Sequence, residues 1–131
     1  MRPLDTVPAV RRLETDRSDV LAIEIAGPMT GADVENLYGL LEGAYALHDR
    51  IDLLVRWPDG EDVDWSGVAP DTLRAARDEA ARHVGKYAAV GAGGDILVLL
   101  KRLAGPVGEF RRFPGNGEAE AWAWIGASEK A

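Results

Sequence analysis

Three short stretches of this chain carry side chains whose type and spacing could do chemistry. The first, Asp62-Val63-Asp64-Trp65-Ser66-Gly67, packs acids, an indole, a hydroxyl and a glycine into six positions. Ahead of a helix, the Ser66 hydroxyl could accept a hydrogen bond from a free amide of the first turn, worth about 1 kcal/mol. The same amides and the positive end of the helix dipole would favour a phosphate there by roughly 0.3–1 kcal/mol. Ser66 is therefore a turn cap and, alternatively, a phosphorylation candidate. Trp65 carries more energy, because a buried indole hides about 150–250 Å², an upper bound of roughly 4–6 kcal/mol. It closes the ends of the strands as a lid or, with Asp64 beside it, walls a ligand groove at the edge where open α/β sheets bind their ligands.

The second stretch, Gly91-Ala92-Gly93-Gly94-Asp95, could present main-chain amides to an anion, with Gly91 and Gly93 as the candidate positions. It does not make a dinucleotide fingerprint, because Ile96 stands where the last glycine is required, and no Walker lysine followed by Ser or Thr is present. A tight turn is the simpler reading. In the third stretch, Ile96 to Leu100 is followed by Lys101 and Arg102, with Arg111 and Arg112 soon after. Five adjacent apolar residues cannot share one helix face, so part of this surface contacts something beyond the local core. A homodimer is the expected answer, with peripheral membrane contact as the other.

His48 and His83 fall near predicted helix carboxyl ends, where the dipole favours an imidazolium. Neither belongs to a Ser-His-Asp order, an HExxH motif or a histidine cluster. The chain has no cysteine, which removes disulfides, thiol nucleophiles and thiolate-bound metals together. The expectation is a non-enzymatic protein without cofactor or metal.

The elements that must position these residues follow from periodicity. Residues 9–27 read as a hairpin of two strands, the second marked by alternation of Leu21, Ile23 and Ile25. Thr30 and Asp33 form a capping-box pattern opening a helix to about His48, with Val34, Leu37, Tyr38, Leu41, Ala44 and Tyr45 at helical spacing. Residues 51–57 read as a buried, central strand. Pro70 opens a second helix carrying Leu73, Ala76, Ala80 and Val84 inward. Strands over 86–91 and 108–113 bracket a short helix at 96–103, and a last helix places Ala121, Trp122 and Ile125 on one side with Trp124 on its flank. Trp57, Tyr87 and Phe113 read as core or sheet-face residues. The order implies right-handed crossovers and an α/β fold with a mostly parallel, mixed sheet of about five strands.

Composition sets the outer limits. A chain of 131 residues fits a single domain with one core. A net charge of −7 opposes binding to phosphate backbones, so nucleic acid is not an expected partner. The longest strongly apolar run falls far short of a membrane span, and the first ten residues lack the apolar region of a secretory signal. A cytoplasmic location is expected.

Taken in order, "DVLAIEIAGPMTGADVENL", "LLVRW", "DWSG", "KYAAVG", "GEFRRF" and "EAEAWAWI" resemble the SpoIIAA-like family, relatives of the STAS domains typified by anti-sigma-factor antagonists. The likeness covers about residues 10–126. It implies an interaction module whose partners are met at the loops of this edge. The expected role, read from the Trp65 stretch, is to hold a small apolar or amphipathic ligand or a regulatory protein there. In the antagonists, an Asp-Ser-Ser/Thr-Gly motif follows a strand that ends in an acid, and its first serine accepts phosphate. Setting Arg56 on that acid puts Asp64, Trp65, Ser66 and Gly67 on the motif. Trp65 then takes the phosphoacceptor slot, and Ser66 the second hydroxyl position.

Overall fold

The computed structural model describes residues 10–25, 30–57, 69–91 and 109–130. Among these residues, five strands form one sheet in the order β1 (Val10–Leu13), β2 (Val20–Ile25), β3 (Ile51–Arg56), β4 (Val84–Val90) and β5 (Glu109–Phe113). β1 runs antiparallel to β2, with Val10 opposite Ile25 and Leu13 opposite Ala22, while β2 to β5 are mutually parallel. The hairpin and the mixed α/β sheet are as the periodicity predicts, and β3 lies at the centre.

Among the described residues three helices pack on this sheet: α1 (Gly31–Leu47), α2 (Pro70–His83) and α3 (Glu118–Ile125), the last entered through a 3-10 turn at Gly115–Gly117. α1 starts where the capping box predicts. The Thr30 hydroxyl accepts from the Asp33 amide at 3.3 Å, and the Asp33 carboxylate accepts from the Thr30 amide at 2.8 Å. Its last turn closes as the His48 amide donates to the Ala44 carbonyl at 3.0 Å. Pro70 stands at the first position of α2, where its missing N–H loses no helical bond.

Strand alternation divides the core in two. Leu21, Ile23, Ile25, Leu53, Val55 and Tyr87 turn toward Val34, Leu37 and Leu41 of α1 and Ala76 of α2. Ala22, Leu54, Ala88, Val90 and Phe113 turn the other way, toward Ala121, Trp122 and Ile125 of α3, with Trp124 packed at the margin. The period of two in each strand thus feeds both layers at once. Trp57, Tyr87 and Phe113 are all buried.

One boundary differs from expectation. Val84 is buried, but as the first residue of β4, opposite Ile51, and not on the inner face of α2. The helix ends at His83 and the strand begins without an intervening loop, because a β-branched residue at that point gains a ladder partner on β3. Ala76 is the inward residue of α2 that the described side chains include. The side chains of Leu73 and Ala80, and the helix expected at 96–103, lie outside the described residues. Among the described residues no helix is long and apolar enough to cross a membrane.

Candidate binding edge

Parallel pairing brings the carboxyl ends of β3, β4 and β5 to one edge. The ladder runs one residue past the strands: the Trp57 amide donates to the Val90 carbonyl at 2.8 Å, and the Gly91 amide donates to the Phe113 carbonyl at 3.0 Å. Gly91 has φ of +149°, a conformation that a residue with a Cβ rarely adopts. The chain leaves the described residues after Trp57, returns at Ala69 ahead of α2, and leaves again after Gly91. Of the sequence-derived candidates, Gly91 is therefore placed at this edge, whereas Asp64, Trp65, Ser66 and Gly93 lie outside the described residues.

Alternation sends the two residues at the end of β3 in opposite directions. Trp57 is fully buried against the α1 and α2 layer, and its indole N–H has no hydrogen-bond partner among the described residues. Arg56 turns toward α3 and gathers three carboxylates. Its Nε and Nη2 donate to Glu24 Oε2 at 3.0 and 2.9 Å, and Nη1 donates to Glu129 Oε1 at 3.1 Å and to Glu118. Glu24 also pairs with Arg11, and Glu118 accepts from the Trp122 indole at 3.1 Å. Burial pulls the Arg56 guanidinium down, but the bonds to Glu118 and Glu129 and the charges of Glu118 and Glu24 outweigh it, so its pKa is raised. The cluster fastens α3 and the carboxyl-terminal tail to the sheet end.

A second charged group closes the opposite edge. Arg17 grips Asp19 with two bonds of 3.0 and 2.8 Å, reaches Asp52 at 3.3 Å, and donates to the Ile125 carbonyl at 2.9 Å. Lys86 Nζ donates to the Trp124 carbonyl at 3.1 Å. Two cations thus sit at the negative end of α3. The bond to Asp19 leads the effects that raise the Arg17 pKa, and the same bond lowers that of Asp19. Gly126 ends α3 with φ of +83°.

The histidines stand where the sequence places them. His48 caps α1, and His83 is the last residue of α2. His83 stacks on Tyr45 at 4.7 Å, with Nδ1 2.8 Å from the Asp49 carbonyl and Nε2 3.2 Å from Glu79. Its partners tie α1 to α2. Among the described residues no three His, Cys, Asp or Glu side chains are grouped to hold a metal.

The Arg56 and Arg17 clusters were not foreseen. One signal was present: Glu24 and Arg56 both sit one place off the apolar alternation at the ends of neighbouring strands. The parallel register sets them side by side.

A family model described as SpoIIAA-like matches residues 20–126, a span that takes in β2 through α3. The chain belongs to the SpoIIAA-like family. A solved structure of an uncharacterized DUF3478-family protein from Shewanella loihica PV-4, itself with a SpoIIAA-like fold, matches at a TM-score of 0.61 and 23% identity, covering 92% of this chain and 97% of that one. That likeness concerns the fold. No curated protein matches. In this SpoIIAA-like domain, the stretch set on the antagonist motif joins the end of β3 to the start of α2.

Proposed function

We propose that this SpoIIAA-like domain is a non-catalytic binding module that takes a small apolar or amphipathic ligand, or a protein partner, at the carboxyl edge of its parallel strands. The observation that carries this reading is the extended ladder there. Trp57 held to Val90 and Gly91 held to Phe113 fix at one edge the points from which both candidate segments depart. The segment after Trp57 carries Asp64, Trp65 and Ser66, and the segment after Gly91 carries Gly93. Rigid strand ends presenting variable loops is the way α/β sheets build ligand and partner sites. Among the described residues, Arg56 at the end of β3 is committed to Glu24, Glu118 and Glu129, which supports binding in preference to turnover.

Native mass spectrometry of protein purified gently from its own host tests this. The expected spectrum shows a retained ligand or partner whose occupancy falls at least tenfold in Trp65→Ala. Wild-type and Trp65→Ala chains that both emerge bare, and take up nothing from a lipid extract or host lysate, would refute the binding reading. Phosphate mapped to Ser66, with partner binding altered by Ser66→Ala, would replace it with a phosphorylation switch.

A further inference from the structure

The solvent side of α1 is not built like a solvated surface. Ala32, Asn36, Gly39, Gly43 and Leu47 follow at steps of four, three, four and four, which sets them on one side of the helix, and all five are exposed. No charge interrupts this line, although 28% of the chain is charged. Leu47 is 79% exposed. Gly39 and Gly43 lie inside the helix, where each is worse than alanine by about 1 kcal/mol. A methyl group at either would meet nothing within 4 Å, so packing within the chain does not require them.

Beside this line lies a cleft of about 60 Å³, walled by Leu40, Ala44 and Leu47 of α1 and Leu21 of β2, with Arg12 at its rim. It has room for roughly four waters, on the order of one aliphatic side chain. Arg12 forms no ion pair among the described residues. Helical geometry puts Glu35 and Glu42 on the opposite flank of the line from the cleft. An apolar knob, an adjacent hole, a cation on one flank and acids on the other make a self-complementary surface.

We propose that α1 docks on α1 of a second copy of this chain, about a two-fold axis running roughly along the helix. Gly39 and Gly43 let the two backbones approach, and each Leu47 covers the other copy's cleft. The charges select the direction. An axis along α1 brings the Glu42 flank of each copy to the Arg12 flank of the other, whereas an antiparallel pair would set like flanks together. This face uses none of Asp64, Trp65, Ser66, Gly91 and Gly93, the residues of the proposed binding edge. α1 is about 25 Å long, and one helix face of that length stays under the roughly 1,200 Å² of a stable interface. The dimer is therefore weak and dissociates on dilution.

Sedimentation velocity of the full chain from about 5 to about 500 μM measures this. The expected result is a concentration-dependent rise toward dimer that Leu47→Asp abolishes while its circular-dichroism melt stays at the wild-type temperature. Arg12→Glu weakens the dimer about tenfold, and Arg12→Glu with Glu42→Arg restores it. A chain that is monomeric throughout, or a dimer indifferent to Leu47→Asp, overturns the proposal. Binding to phosphatidylglycerol vesicles that is lost in Leu47→Asp, with no dimer, would assign the stripe to a lipid surface and overturn it equally.

Discussion

Replacing Arg56 with methionine keeps an unbranched stem over the sheet end while removing the charge that three glutamates share. The Arg56 side chain is 14% exposed, and Glu24, Glu118 and Glu129 are 19%, 31% and 37% exposed. Removing one partner of a fully buried pair costs about 3–5 kcal/mol, and an exposed pair is worth about 0.2–1 kcal/mol. Partial access of water to the carboxylates places Arg56→Met between these, at about 2–3 kcal/mol. For a chain of this length that lowers Tm by about 10 °C, read by calorimetry or urea unfolding at pH 7. A deficit below about 0.5 kcal/mol at pH 7 would show that Arg56 does not hold the cluster together.

The Arg17 bond lowers the Asp19 pKa, so its contribution is present above the ordinary carboxylate value near 3.9 and is lost as pH falls through the folded value. Asp19→Asn should therefore be less stable than wild type at pH 6, with the two urea midpoints converging by about pH 2–3. Burial raises the Tyr45 and Tyr87 pKa values, so their neutral forms favour the fold below pH ~10 and that contribution is lost as pH rises through the folded values. Absorbance at alkaline pH should show these two rings ionising only as the chain unfolds. The Tyr45 hydroxyl is buried without a hydrogen-bond partner among the described residues, so Tyr45→Phe should be neutral or stabilising by up to about 1 kcal/mol in urea unfolding. Gly126→Ala should destabilise by about 1–2 kcal/mol because of its positive φ, and Gly126→Asn by less.

Much of the architecture is written locally. Leu21, Ile23 and Ile25 show their strand by alternation, and Thr30 with Asp33 announces α1 at the residue where it begins, because a capping box is satisfied within four positions. The end of α2 was less legible. Val84 continues the helical spacing of Ala76 and Ala80, and only its ladder place opposite Ile51 makes it a strand residue. The clusters were hidden for a related reason. Arg56 meets Glu24, Glu118 and Glu129 across 32, 62 and 73 positions, and no local pattern records such partners.

The sequence by itself determined the order of the described strands and helices, the central place of β3, and membership of the SpoIIAA-like family. Periodicity and caps act over one or two turns, which is why a linear reading recovers them. Tertiary structure alone decided which charges pair and where each helix packs. The strand order β2-β3-β4 leaves α1 and α2 packed on one face, as crossovers of one hand require, whereas α3 follows β5 and covers the other face. It also decided that one side of α1 faces water without a charge, since whether an apolar residue such as Leu47 is buried depends on neighbours far along the chain.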